Sequence, residues 1–327
     1  MSEKVMYIGE RDVQKHLTVE SVIRRVEDTW RWYGEGTVVM PSKVTLDMSA
    51  LGVKGWVNSM PSYVQATDCA GIKWVGGYED NPGRGLPYIR AKIFLSDPRN
   101  GDLRAVVSGD WISDMRTGAQ AAIACKYLAA STDVVTIIGA GRQAYASLLC
   151  MGRILDIKEV RLCDIRHAAM EHFMSRFSDA PFAMAAFDSN EDACRGSDVI
   201  ITVTNANAEL VREPWVREGA LVLTMGSFTE TSDDVVLKAD KIIADHIGQS
   251  LHRGNIASMA RRGLISEKSF AAELTSIAAG KHAGREHPEE RIVCQLVGMG
   301  APDAAIAALL IENMRNAGVD IPTFDLV

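Results

Sequence analysis

The stretch that decides the fold runs from Asp133 to Ile165: DVVTIIGAGRQAYASLLCMGRILDIKEVRLCDI. Its opening run, Asp133 to Gly141, is apolar and β-branched until it meets glycines, the pattern of a strand entering a tight turn. From Ala144 to Leu155 the apolar residues recur at helical spacing, and Glu159 to Ile165 forms a second short apolar run. Strand, turn, helix and strand make a βαβ unit, because parallel strands need a long crossover between them.

The alternation continues downstream. A helical stripe follows in Arg166 to Phe177, then a strand near Phe182 to Phe187, a polar helix near Glu191 to Gly196, and strands at Asp198 to Thr204, Ala220 to Ser227 and Lys241 to Asp245. Such alternation predicts a doubly wound α/β domain of the Rossmann type, with a parallel sheet and helices on both faces. Upstream the character changes. An amphipathic helix at Val19 to Tyr33 precedes short segments punctuated by Pro41, Pro61, Pro82, Pro87 and Pro98, which predicts an α+β domain with a largely antiparallel or mixed sheet. The helix Trp111 to Ala129 joins the two, and the apolar helix Ala301 to Gly318 is expected to return to the first. The boundaries expected are residues 1–115 with 306–327 for a substrate-binding and dimerisation domain, and 116–305 for the nucleotide domain.

Composition fits this reading. The 327 residues suffice for two domains at roughly 100 to 200 residues each. Apolar residues make up 47% and charged residues 24%, as in ordinary globular proteins. A formal charge of -7 and the absence of a basic run interleaved with aromatics exclude nucleic acid and anionic membranes as expected partners. The six cysteines are scattered, without metal-ligand spacing, and the amino-terminal stretch lacks the apolar core of a signal peptide. The expectation is a cytoplasmic protein with no metal site.

In GAGRQA, Gly139, Gly141 and Ala144 stand in the G-x-G-x-x-A form of the dinucleotide fingerprint, between a predicted strand and a predicted helix. Gly139 permits the turn, Gly141 lets the backbone approach a pyrophosphate, Ala144 keeps the helix close to its strand, and Arg142 and Gln143 open the helix whose N–H groups face the anion. Asp164 follows 23 residues after Gly141, where a carboxylate accepts hydrogen bonds from ribose hydroxyls and repels a 2′-phosphate. Arg166, two residues on, could welcome that phosphate, so NAD(H) is favoured and NADP(H) is less favoured. Thr204, Met225, Gly226 and Ser227 are expected to line the crevice at the carboxyl ends of later strands.

Five motifs carry a resemblance. GIKWVGGYEDNPGRGLP (Gly71 to Pro87), SDMRTGAQAAIACKYLA (Ser113 to Ala129), TIIGAGRQA (Thr136 to Ala144), LHRGNI (Leu251 to Ile256) and VGMGAPDAAIA (Val297 to Ala307) occur in the order seen in the ornithine cyclodeaminase/mu-crystallin family, which the chain resembles over nearly its whole length. The resemblance implies an NAD(P)-dependent enzyme acting on α-amino or α-imino acids and a homodimer joined through the non-nucleotide domain. It implies that Lys73 lies near the substrate's carboxylate and reacting nitrogen, and that Arg116, with Thr117 beside it, lies near the nicotinamide and pyrophosphate. Lys43, in MPSK, stands where many members have a carboxylate-binding arginine; a lysine offers a point charge instead of a bidentate fork. Tyr88 falls where some members contact cofactor with a threonine. Asp303 is read in two compatible ways, as a contact on the nicotinamide side and as a cap at a helix start.

One departure bears on the reaction. Cyclodeaminases of the family carry an aspartate two residues after the glycine matched by Gly226; here that position is Phe228, and nearby Glu230, Asp233 and Asp234 do not obviously replace it. Lys43, Lys73 and Arg116 supply the cations for a carboxylate, and Lys73 is the candidate proton donor, since an ammonium near other cations has a lowered pKa. The expectation is therefore an NAD(H)-dependent reductase or dehydrogenase, catalytic through Lys73 and Arg116, for a small imino or amino acid of the iminosuccinate or pyruvate type. The alternatives are a cyclodeaminase-type lyase and a non-catalytic ligand-binding protein. His246 and His252 are expected to be structural.

Overall fold

The computed structural model describes residues 4–326. The chain divides into two compact units: one ends at Arg116 and resumes at Met299, and the other is Thr117–Gly298. The return at Met299 comes earlier than the expected residue 306, because the final long helix belongs whole to the first unit.

The first unit contains β1 (Lys4–Ile8), α1 (Glu10–His16), α2 (Val19–Glu35), β2 (Val38–Val39), β3 (Val44–Asp47), β4 (Gly55–Val64), β5 (Cys69–Tyr78), β6 (Ile89–Ser96) and β7 (Leu103–Ser108). The Thr18 side chain caps α2, and its reciprocal bond with Ser21 closes a capping box. Strands β4 to β7 form an antiparallel meander, with β3 and β2 on the far side of β4 and β1 parallel to β7. The sheet is therefore mixed. Its inner face presents Met60, Lys73, Val75, Ala91 and Ile93, all buried.

The second unit takes up the chain within α3 (Asp110–Leu128) and continues through β8 (Val134–Ile138), α4 (Arg142–Ile154), β9 (Glu159–Cys163), α5 (His167–Ser175), β10 (Ala183–Ala186), α6 (Asn190–Cys194), β11 (Val199–Thr202), β12 (Leu221–Met225), α7 (Asp233–Leu237), β13 (Lys241–Ala244), α8 (Ile247–Ser250), α9 (Ala257–Arg261), β14 (Ala272–Glu273), α10 (Leu274–Ala278) and β15 (Ile292–Leu296). All its strands run parallel, in the order β10-β9-β8-β11-β12-β15-β13-β14. The direction of winding reverses between β8 and β11, and open α/β sheets bind ligands beside such a switch point, at the carboxyl ends of the strands. β8, β11, β12 and β15 are buried almost throughout, as expected where helices cover both faces. Back in the first unit, α11 (Ala301–Asn316) packs on β4, β5, β6 and α2, and β16 (Thr323–Asp325) pairs antiparallel with β1. No helix among the described residues is long and apolar enough to cross a membrane.

Candidate active site

In the first unit, strand register and two helices converge on one lysine. Lys73 on β5 stands between Met60 of β4 and Ile93 of β6 on the inner face of the sheet, with apolar side chains on both flanks. Against this face the first turn of α11 brings Asp303, whose Oδ2 lies 2.8 Å from Lys73 Nζ and 3.3 Å from Arg116 Nε of α3. Ser113, one turn before Arg116 on α3, stands 3.5 Å from the ammonium through its Oγ. Lys73 and Asp303 are buried, while Arg116 keeps a little side-chain exposure. Burial pushes the Lys73 ammonium down to about 8 and Arg116 pushes in the same direction, against the opposing pull of Asp303. The result is a dry ammonium able to exchange a proton near neutrality.

Asp303 corrects one expectation. Its carboxylate has no accessible surface and faces Lys73 and Arg116. It does not cap α11 with its side chain, since no donor among the described residues is aligned on either oxygen. Lys43 precedes Val44, which pairs with Ser59; one further step along that ladder reaches Met60, the partner of Lys73. Register thus puts both lysines at one level of the sheet, with Lys43 half-buried. Tyr88 is engaged elsewhere, its hydroxyl accepting from Trp56 Nε1 at 3.3 Å.

The second unit holds the glycine turn. Gly139 adopts a left-handed φ of 109°, and a side chain there would meet the Val203 carbonyl and the Thr204 methyl group, so the turn needs glycine for conformation and for space. Gly141 is different. It precedes α4, no side chain caps that helix, and a Cβ built on Gly141 meets no protein atom within 4 Å. Nothing in the fold demands glycine there, and the open space fits a phosphate approaching the helix start. Ala144 is fully buried, so it acts by packing the helix down, while Arg142 is exposed and Gln143 half-buried.

Asp164 lies just past β9. Its Oδ2 accepts from Ala140 N at 2.8 Å, and its Oδ1 accepts from Arg166 N at 2.9 Å with the Arg166 guanidinium 3.6 Å away. The carboxylate therefore anchors the glycine turn. Thr204 follows β11, and both its N–H and its hydroxyl donate to Glu230 Oε1, at 2.8 and 2.7 Å. Met225 is buried beside Ser147 of α4, whereas Gly226 and Ser227 are exposed. Thr117 opens the second unit on α3.

Sequence reasoning missed the groups that tie these loops together. Glu230 is buried; Asn255 Oδ1 accepts from Glu230 N and Thr231 N; Asp245 accepts from Val297 N and Gly298 N; Gln295 accepts from Ile256 N. Only Asn255 had a signal, its place in LHRGNI. His246 caps α8, its Nδ1 accepting from Gln249 N at 3.3 Å. Among the described residues no group of three or more His, Cys, Asp or Glu side chains could hold a metal ion.

A parallel Rossmann sheet with an open glycine turn, joined in one chain to a mixed-sheet unit that buries a lysine–aspartate–arginine cluster, defines a nucleotide-fold protein with a cationic site of its own. Residues 3–318 match the Ornithine cyclodeaminase/mu-crystallin family, and the chain belongs to that family. It is 32% identical over 327 residues to an alanine dehydrogenase of Archaeoglobus fulgidus, covering 98% of this chain and 99% of that protein. Among solved structures, an archaeal alanine dehydrogenase dimer with bound NAD superposes with a TM-score of 0.91 at 30% identity, covering 99% of this chain and 100% of that one. The Δ1-pyrroline-2-carboxylate reductase of Thermococcus litoralis, in complex with NADH and L-proline, gives 0.88 at 29% identity, covering 96% and 99%.

Proposed function

We propose that the protein is an NAD(H)-dependent reductase or dehydrogenase interconverting a small α-imino acid, formed from a 2-oxo acid and ammonia or an amine, with the α-amino acid. The observation that carries this reading is the buried Lys73 ammonium, lowered to about 8 and held beside Arg116. Arg116 and Lys43 attract the substrate carboxylate, and Lys73 gives the nitrogen its proton as the imine becomes an amine. Bound at the glycine turn by the residues around Gly139, Gly141 and Asp164, the cofactor supplies or takes up the hydride at the substrate's α-carbon. Asp164 supports NAD(H) over NADP(H), its carboxylate lying where a 2′-phosphate would be repelled. The first unit then binds substrate and the second binds cofactor.

A redox reaction is favoured over ammonia-releasing cyclisation. Phe228, in place of the aspartate carried by the family's cyclodeaminases, is 38% exposed, and Glu230 spends its carboxylate on Thr204 inside the protein. Iminosuccinate and pyruvate with ammonia are the first substrates to try, because Lys43, Lys73 and Arg116 supply several cations at one site. Six buried thiols without a disulfide support a reducing compartment, taken here as the cytoplasm. The NAD-bound dimer among the relatives supports a homodimer.

The test is nicotinamide absorbance with NADH, ammonia and a panel of 2-oxo acids, with NADPH and with L-ornithine plus catalytic NAD in parallel. Consumption of NADH that requires both oxo acid and amine is expected, and Lys73→Ala should abolish it while still binding NADH. Ammonia release from ornithine without net NADH change would replace this reading with the lyase.

A further inference from the structure

We propose that Asp303 is a positioning residue, whose carboxylate fixes the Lys73 ammonium and the Arg116 guanidinium in one arrangement and keeps Lys73 charged until the substrate nitrogen takes its proton. The proposal rests on the reaction class above and adds a residue to it.

The geometry is unlike that of a structural ion pair. Both cations converge on a single oxygen, Oδ2, at 2.8 and 3.3 Å, and no donor among the described residues is aligned on Oδ1. A buried carboxylate kept for stability would have both oxygens satisfied, because desolvating it costs several kcal/mol that only good hydrogen bonds offset. Here the carboxylate is fully buried, yet poorly bonded and shared. Such an arrangement holds two cations at a fixed separation. The Arg116 guanidinium has five N–H donors, and its Nε faces Asp303, which leaves the planar fork of the group directed elsewhere. Of the three N–H directions of Lys73, Asp303 and Ser113 define two.

The charges facing Lys73 come from two helices. Arg116 and Asp114 lie on α3 and Asp303 on α11, whereas the flanking strands offer Met60 and Ile93. Burial and Arg116 favour loss of the proton; Asp303, by its charge, favours its retention, with Asp114 a lesser contributor. Neutralising Asp303 therefore removes the principal group opposing deprotonation. Lys73 would then stand largely neutral at the pH where a proton donor must be charged.

The measurement is the titration of Lys73 by NMR of lysine ε-carbons in the full-length protein, its resonance assigned by loss in Lys73→Met, alongside the pH profile of kcat/KM. In the wild type the resonance should titrate near pH 8. In Asp303→Asn it should titrate about one pH unit lower or more, with the alkaline limb of the profile moving equally and NADH binding kept. Asp303→Glu, which retains the charge, should return the midpoint toward wild type while kcat stays depressed through misplacement. An identical Lys73 midpoint in wild type and Asp303→Asn overturns the proposal. Should Asp303→Asn fail to fold, Asp303→Glu with unaltered kcat and profile overturns it as well. If the wild type reduces no imino acid yet the Lys73 midpoint falls in Asp303→Asn, the reaction class is wrong and the link between the two residues stands.

Discussion

Glu230 carries a carboxyl where water does not reach, and burial raises it to about 7 although Thr204 donates two hydrogen bonds to it. The folded protein thus keeps a proton that the unfolded chain releases at ordinary carboxylate pH. Stability should fall as pH rises from 4.5 toward 7 and level off above, a loss of roughly 3 kcal/mol from this group. Glu230→Gln keeps an acceptor for Thr204 and removes that loss, so its stability relative to wild type should be greater at pH 8 than at pH 5. Denaturant melts at the two pH values check this, and an equal difference at both would refute it. Neither Glu230 nor Asp303 had its role written in the sequence. Lys73 and Arg116 were legible because they sit inside recurring motifs, but the partner of Lys73 lies on a helix far along the chain. Which oxygen meets which nitrogen follows from the packing of α11 on β5, and no local pattern encodes that.

At the level of elements, Gly118 shows why a motif glycine can be there for packing alone. It lies in the middle of α3, where alanine would ordinarily be preferred by about 1 kcal/mol, yet a Cβ there would run into the Ala146 carbonyl of α4. Gly118→Ala should therefore destabilise the protein by about 1–3 kcal/mol and lower the thermal midpoint, since overpacking outweighs the helical gain. A midpoint at or above wild type would show that the two helices can separate at little cost. The strands β8 to β13 were legible because each is a short apolar run bounded by turns, found within a few residues of its expected limits. β15 was not, although it is central, between β12 and β13. Its sequence, IVCQL, carries the polar Gln295, which is fully buried and spends its amide on Ser250, Arg253 and Ile256. A polar residue whose partners lie in distant loops disguises a core strand. The α+β character of the first unit was readable from its turns, but its strand order was not, because antiparallel register depends on which strands meet.

For the whole molecule, the outer face of the first unit's sheet bears on assembly. Val44 pairs with Ser59 and Ser59 with Trp74, so these share one face with Leu46, opposite to Lys73. Val44 is 68% exposed, Leu46 53% and Trp74 45%, an apolar row of the sort that a partner subunit covers. Sedimentation should show a homodimer, and Trp74→Arg should shift it toward monomer; a wild-type monomer at micromolar concentration would remove the dimer from the proposal. The first unit is also discontinuous, resuming at Met299 after the second has been completed. During synthesis the amino-terminal regions emerge first, and domains fold as units. The Rossmann unit can therefore close while the sheet bearing Lys73 still lacks α11, its inner face uncovered and its lysine without a counter-charge. Lys73 acquires its aspartate only as that helix docks, so a ribosome-bound chain would hold a finished nucleotide fold well before Lys73 and Asp303 stand together.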